Sequence, residues 1–143
     1  MNNAHKVTKI ADKLIQWSKE NKLDWNYLED DNALLKMVDS RLCDYIVERS
    51  DSFYCNIGKG FFVLASVKYR YLDELNLFTD NNRRTVAMEP PALFLISIPA
   101  LNSRDHGCLN KYDEHQGVLL RLQNIAKRQY PNTEDFINEF MAM

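Results

Sequence analysis

Glycine and proline are scarce in this chain, four of each in 143 residues, which excludes collagen-like, linker-rich and Pro/Gly-driven disordered sequences. Cysteine is scarce too. Cys43, Cys55 and Cys108 are odd in number and share no recurring spacing, so a disulfide framework is not expected and the thiols are read as reduced. No apolar run approaches the roughly 20 residues of a membrane helix, and the lysine-bearing start lacks the apolar segment of a signal peptide. Both absences lead to the expectation of a cytoplasmic protein that does not enter a membrane. A dominant sign of charge is missing as well: 18 basic and 20 acidic residues leave a net charge of −2. That balance disfavours nucleic acid as a partner of the chain as a whole. Finally, no His-x-x-x-His pair, zinc knuckle or phosphate-binding loop is present, so no cofactor, metal or catalytic residue is assigned.

What remains is an ordinary globular composition, 45% hydrophobic, 27% charged and 11% aromatic, at the size of one domain spanning residues 1–143. The charge is unevenly spread. Residues 1–22 carry five lysines against Asp12 and Glu20, whereas residues 23–51 carry eight acidic residues against Lys36, Arg41 and Arg49. We read these segments as two solvated faces that attract each other in the fold.

Val7, Ile10, Ala11, Leu14 and Ile15 recur at three- and four-residue steps, predicting a one-sided helix that stops near Asn21 in a left-handed cap. Residues 25–48 admit two readings. One is a helix capped by Asp31 or Asn32 with Leu34 or Leu35, Val38, Leu42, Tyr45 and Ile46 on one stripe. The other is a pair of strands, Leu35–Val38 and Leu42–Val47, turning at Asp39-Ser40-Arg41. Beyond them, Phe53–Ile57 and Phe61–Tyr71 flank Gly58-Lys59-Gly60 as a hairpin. Its second strand alternates Phe61, Val63, Ala65, Val67, Tyr69 and Tyr71 with Phe62, Leu64, Ser66, Lys68 and Arg70. A turn at Asp80-Asn81-Asn82, a strand at Thr85–Met88, a bend at Pro90-Pro91 and a strand at Ala92–Ile98 ended by Pro99 follow. Asn102–Glu114 reads as an exposed polar loop. Val118, Leu119, Leu122, Ile125 and Ala126 then form a helical stripe. After Pro131, Asn132 and Asp135 resemble a cap for a last helix turning Phe136, Ile137, Phe140 and Met141 inward.

Three groups could carry function. Lys68, Tyr69, Arg70 and Tyr71, with Trp25 and Tyr27, form the candidate interaction surface, because Tyr and Trp dominate interface hot spots. With Arg83 and Arg84, the basic residues of this group suggest single-strand binding, but alternation parts Lys68 and Arg70 from Tyr69 and Tyr71. Protection of a sheet edge by charge is therefore preferred. The loop bearing Arg104, Asp105, His106 and Cys108, then Asp113, Glu114 and His115, supplies metal-ligand and acid–base residue types. His106, Cys108 and His115 are the alternative site, for a hydrolase or a small-molecule binder. Cys55 lies in an apolar strand and Cys43 between Leu42 and Asp44, and both read as inert buried thiols.

The order of a leading helix, Lys22-Leu23-Asp24-Trp25, several strands, Leu119-Leu120-Arg121-Leu122 and a short final helix resembles a broad group of small bacterial α+β proteins that accompany phages, integron cassettes or other mobile elements. The resemblance spans most of the chain, implies strands in Leu35–Val47, and carries over no active residue. The fold expected is α+β: an antiparallel sheet of four or more strands packed on one face by an N-terminal helix and two C-terminal helices. The function expected is non-catalytic, with an unknown protein or a second copy of the chain as partner, engaged through the aromatic-bearing sheet or the acidic stretch 24–51.

Overall fold

The computed structural model describes residues 4–43, 45–72, 85–87, 91–101, 103–104, 107–129 and 133–143. The predicted turn at Asp80-Asn81-Asn82, Arg83, Arg84, Pro90, His106 and the Pro131-Asn132 stop lie outside the described residues.

The protein is α+β, an antiparallel sheet with helices at both ends of the chain. Helix α1 (Ala4–Lys19) buries Val7, Ala11, Leu14 and Ser18, one side of its cylinder. It closes as anticipated: Asn21 takes φ 59°, Asn21 N donates to Ser18 O (3.2 Å) and Lys22 N to Trp17 O (2.8 Å). Those are the two bonds that satisfy the last carbonyls of a helix before a left-handed residue. Strand β1 (Trp25–Tyr27) follows, then a 3-10 turn over Leu28–Asp30 and helix α2 (Asn32–Arg41). Asp31 caps α2, its Oδ1 accepting from Leu34 N at 3.1 Å. The ambiguous stretch thus divides: residues 32–41 are helical, against the strands that the resemblance implied there, and strand β2 (Tyr45–Val47) comes only after. A capping aspartate followed by Leu34, Leu35 and Val38 buries one stripe as a helix, whereas a strand would send adjacent Leu34 and Leu35 to opposite faces.

Strands β3 (Phe53–Ile57) and β4 (Gly60–Leu72) form the predicted hairpin, with Gly58 at φ 62° in its turn. Strand β4 is the spine of the sheet. One edge pairs with β3 and then β2; the other pairs with β6 (Ala92–Ile98) and then β5 (Thr85–Ala87). Strand β7 (Gly107–Cys108) adds to β6, giving the path β1-β3-β4-β6-β7. Beyond Val67, where the pairing with β6 ends, Lys68 pairs with Ile46 of β2 and Arg70 with Ala87 of β5.

Alternation along β4 builds two cores. Phe62, Leu64, Leu93 and Leu95 meet α1 and helix α3 (Gln116–Arg128) on one face. Phe61, Val63, Ala65, Val67, Phe94 and Ile96 meet α2 on the other. The N-terminal helix and α3 share one face of the sheet, as expected. Continuous apolar runs such as β4 and β6 are greasy on both sides and need two covers, and α2 supplies the second. A ring cluster completes it, with Tyr45 edge-on to Phe94 at 5.1 Å and stacked on Tyr112 at 5.6 Å.

Helix α3 is fastened to the sheet by glutamines as well as by its apolar stripe. Gln116 accepts from Leu93 N (2.7 Å) and donates to Leu93 O (2.9 Å) on β6. Gln123 donates to Asp51 O (2.9 Å). Gln129 accepts from Trp25 N (2.8 Å) and donates to Leu23 O (3.2 Å) beside β1. Each amide carries a donor and an acceptor, so it can complete backbone groups that no neighbouring strand reaches. Asn110, 5% exposed, does the same on β6, accepting from Leu95 N and donating to Leu93 O. The segment expected to be an exposed loop is therefore partly structural: β7 and Asn110 close the outer side of β6.

Helix α4 (Thr133–Ala142) contradicts its expected packing. Phe136, Ile137, Phe140 and Met141 are 66, 50, 65 and 74% exposed.

Candidate functional site

Between β2 and β3 the chain inserts three residues into the edge beside β4, the pairing sum shifting from Val47↔Val67 to Phe53↔Leu64. Arg49–Asp51 loop out as a 3-10 turn. The hydroxyl of Ser52 fills the gap, donating to Glu48 O (2.7 Å) and accepting from Ser66 N (3.0 Å). Ser66 Oγ in turn donates to Glu48 Oε1 at 3.3 Å, and Lys68 Nζ stands 3.9 Å from Glu48 Oε2. From α3, Lys127 pairs with Asp51 at 3.1 Å. These two acidic residues thus pair with Lys68 and Lys127, lysines outside the N-terminal segment, which corrects the reading of residues 23–51 as partner to residues 1–22 at those positions.

Beside this node a cleft of about 300 Å³ opens between α3 and the sheet, lined by Ser66, Pro91, Leu93, Asp113, Gln116, Gly117, Leu120 and Gln123. Most of its polar groups already have work: Gln116 and Gln123 bind backbone and Ser66 binds Glu48. A serine nucleophile needs a base within reach, and the group that Ser66 meets is a carboxylate also bound toward Lys68. Among the described residues no histidine or cysteine lines the cleft.

Of the alternative site, neither Cys108 nor His115 lines this cleft. His106 lies outside the described residues. Cys108 packs in the α2-side core, its thiol pushed up by burial and partly restrained by the Arg41 guanidinium. His115 is the residue before α3, with left-handed backbone at φ 59° and no side-chain cap bond. Among the described residues no three His, Cys, Asp or Glu side chains gather as metal ligands would. Cys55 is buried and its thiol is pushed up to about 12 by that burial, so it is a core hydrophobe, as read from its neighbours. Cys43, read as buried, is exposed.

Of the candidate interaction surface, one member lies in the core. Trp25 is 1% exposed, and its Nε1 donates to Ser18 Oγ at 2.8 Å, so it is a core residue and not a contact. Its ring is the largest side chain fully buried between α1, α3 and the sheet, where area removed from water counts most. Tyr27 is half-buried on Phe53, ring centroids 4.9 Å apart. Lys68 is half-buried beside Glu48. The backbones of Tyr69, Arg70 and Tyr71 pair with Tyr45, Ala87 and Val86, and their side chains lie outside what is described. Tyr54 projects from the α2 face, its hydroxyl pushed up by burial and by the Asp31 and Asp30 carboxylates.

Two apolar surfaces take the place of that group. One is the stripe Phe136, Ile137, Phe140 and Met141 on α4. The other is a hollow of about 250 Å³ between α1 and the β3–β4 hairpin, lined by Ile10, Leu14, Trp17, Ile57 and Phe62, with the Lys13 ammonium 4.6 Å from the Trp17 ring at its rim. Periodicity reveals that α4 has an apolar stripe but not whether its own sheet covers it, and only a register of contacts finds the hollow. Compared with protein-family models, with curated proteins and with solved structures, the chain matches none.

Proposed function

We propose that this chain is a non-catalytic, cytoplasmic protein that acts by binding another protein surface through the apolar face of α4. The observation that carries this reading is the exposure of four large apolar side chains on a helix of ten residues. Burying each such side chain is worth about 1.5–3 kcal/mol, so at their observed exposures roughly 4–8 kcal/mol is left unrealised on this face. A helix this short is marginal in water without a packed face, so cover and helix formation reinforce each other. A membrane surface suits α4 poorly. Helices that lie on anionic lipid carry Lys and Arg on the polar face, whereas the charged residues of α4 are Glu134, Asp135 and Glu139.

The test places a photo-reactive phenylalanine analogue at position 137 of the full chain in living cells and weighs the adducts by mass spectrometry. A discrete protein adduct, lost in the Phe136→Glu, Phe140→Glu double variant, is the expected result. Irradiation that yields no protein adduct overturns the reading.

A further inference from the structure

We propose that the surface meeting α4 is a second copy of this chain, with α4 of each copy seated in the hollow between α1 and the β3–β4 hairpin of the other. This rests on the reading that α4 is a protein-binding element, and it names the partner.

The hollow suits side-chain knobs. At about 250 Å³ it falls below the size at which drug-sized ligands are enclosed, and its Ile10, Trp17, Ile57 and Phe62 walls offer apolar contact, with the Lys13 ammonium at the rim. Charge points the same way. Lys13 stands at the rim of the hollow with Lys9 one turn before it on α1, and α4 carries three acidic residues and no basic one. A helix of that sign is drawn along α1 and held in one orientation, the role charge complementarity plays at interfaces.

Area closes the argument. Taking about 200 Å² of accessible surface for a large side chain, the observed exposures of Phe136, Ile137, Phe140 and Met141 leave roughly 500 Å² to bury per helix. In a two-fold pair both helices dock, each covering a comparable area of the other copy's surface in and around the hollow, for a total of roughly 2,000 Å², the range of a stable specific interface.

The experiment measures mass by light scattering on the full chain at about 100 µM and the dissociation constant by sedimentation. The expected mass is twice the 16.8 kDa of the chain. Phe136→Glu with Phe140→Glu disables the helix, and Ile57→Glu disables the hollow. Each variant is expected to weaken the dimer by about 30-fold or more, while an equimolar mixture of the two recovers a one-to-one dimer through its single intact contact. Should Ile57→Glu fail to fold, Lys9→Glu with Lys13→Glu, both at exposed positions, replaces it. That variant is expected to weaken the dimer about tenfold and to lower its sensitivity to salt. A wild-type chain that stays monomeric, or a dimer indifferent to the hollow variants, overturns the proposal. A cross-link from position 137 into the hollow of the same molecule overturns it as well. If the adduct at position 137 is instead a different protein, self-association fails while the protein-binding reading of α4 stands.

Discussion

Asn110→Ala should be among the most damaging single amide deletions in the protein. The side chain is 5% exposed, its Oδ1 accepts from Leu95 N at 2.8 Å, and its Nδ2 reaches Leu93 O at 3.0 Å, Glu114 O at 3.1 Å and Lys111 O at 3.2 Å. Not all four partners suffer equally on its loss. Leu93 O keeps the Gln116 amide, and the carbonyls of exposed Lys111 and Glu114 turn to water, but Leu95 N sits on a fully buried residue and is orphaned. An orphaned buried N–H costs about 1–3 kcal/mol, and the space left by the side chain adds to it, so the loss should be about 2–4 kcal/mol. For a chain of this size that lowers Tm by roughly 5–15 °C. Urea melts followed by circular dichroism measure it directly. Asn110→Asp refines the test. It keeps the acceptor for Leu95 N but sets a carboxylate against three carbonyl oxygens, which favour its protonated form in the fold. A folded-state pKa raised in this way makes the variant most stable at low pH and progressively less stable as pH rises. Its deficit against wild type should therefore narrow from pH 7 to about pH 4. A loss below about 1 kcal/mol for Asn110→Ala would refute the idea that side-chain amides complete the outer side of β6.

Two further outcomes follow from the hairpin and the buried thiol. A Cβ on Gly60 would stand 2.7 Å from Ile98 O and 2.8 Å from Pro99 O, so Gly60→Ala should cost about 1–3 kcal/mol in chemical denaturation. Gly58→Asn, at a left-handed turn position open to solvent, should cost a few tenths, and equal losses at both would contradict this account. Burial holds the Cys55 thiol at about 12 against an ordinary 9.0. Below pH 9 both folded and unfolded chains keep the proton; above it only the unfolded chain gives it up. Stability should thus fall between pH 9 and 12 by up to about 1.4 kcal/mol per pH unit from this group. The Cys55→Ala variant should lose that part of the slope, and a slope unchanged from wild type would show the thiol ionises in place. At pH 8 a thiol-specific reagent should modify exposed Cys43 promptly and Cys55 only through opening of the fold.

Local rules carried much of the architecture. The amphipathic steps of α1 and α3, the left-handed stop at Asn21 and the glycine turn of the hairpin all express short-range geometry, so residues close in sequence suffice to foresee them. The two-faced alternation of β4 was equally legible, because side chains on a strand must point in turn to opposite sides. What short-range geometry could not decide was which surface covers which. Trp25 reads as an interface anchor until Ser18 and the cores around it are brought within contact. Residues 107–110 read as loop until β6 is found to lack a neighbour there. The backbone bonds of Gln116, Gln123 and Gln129 arise only where α3 is laid across the sheet.

The chain's own order of residues therefore determined an α+β protein with a long apolar hairpin and three helices of known stripe, and left residues 25–48 between helix and strands. Only the tertiary structure decided that the sheet is covered on both sides by α1, α2 and α3, leaving the stripe of α4 without a place in its own core. The reason is that amphipathic periodicity records a need for burial without recording the partner, and the partner is chosen by packing among segments far apart in sequence.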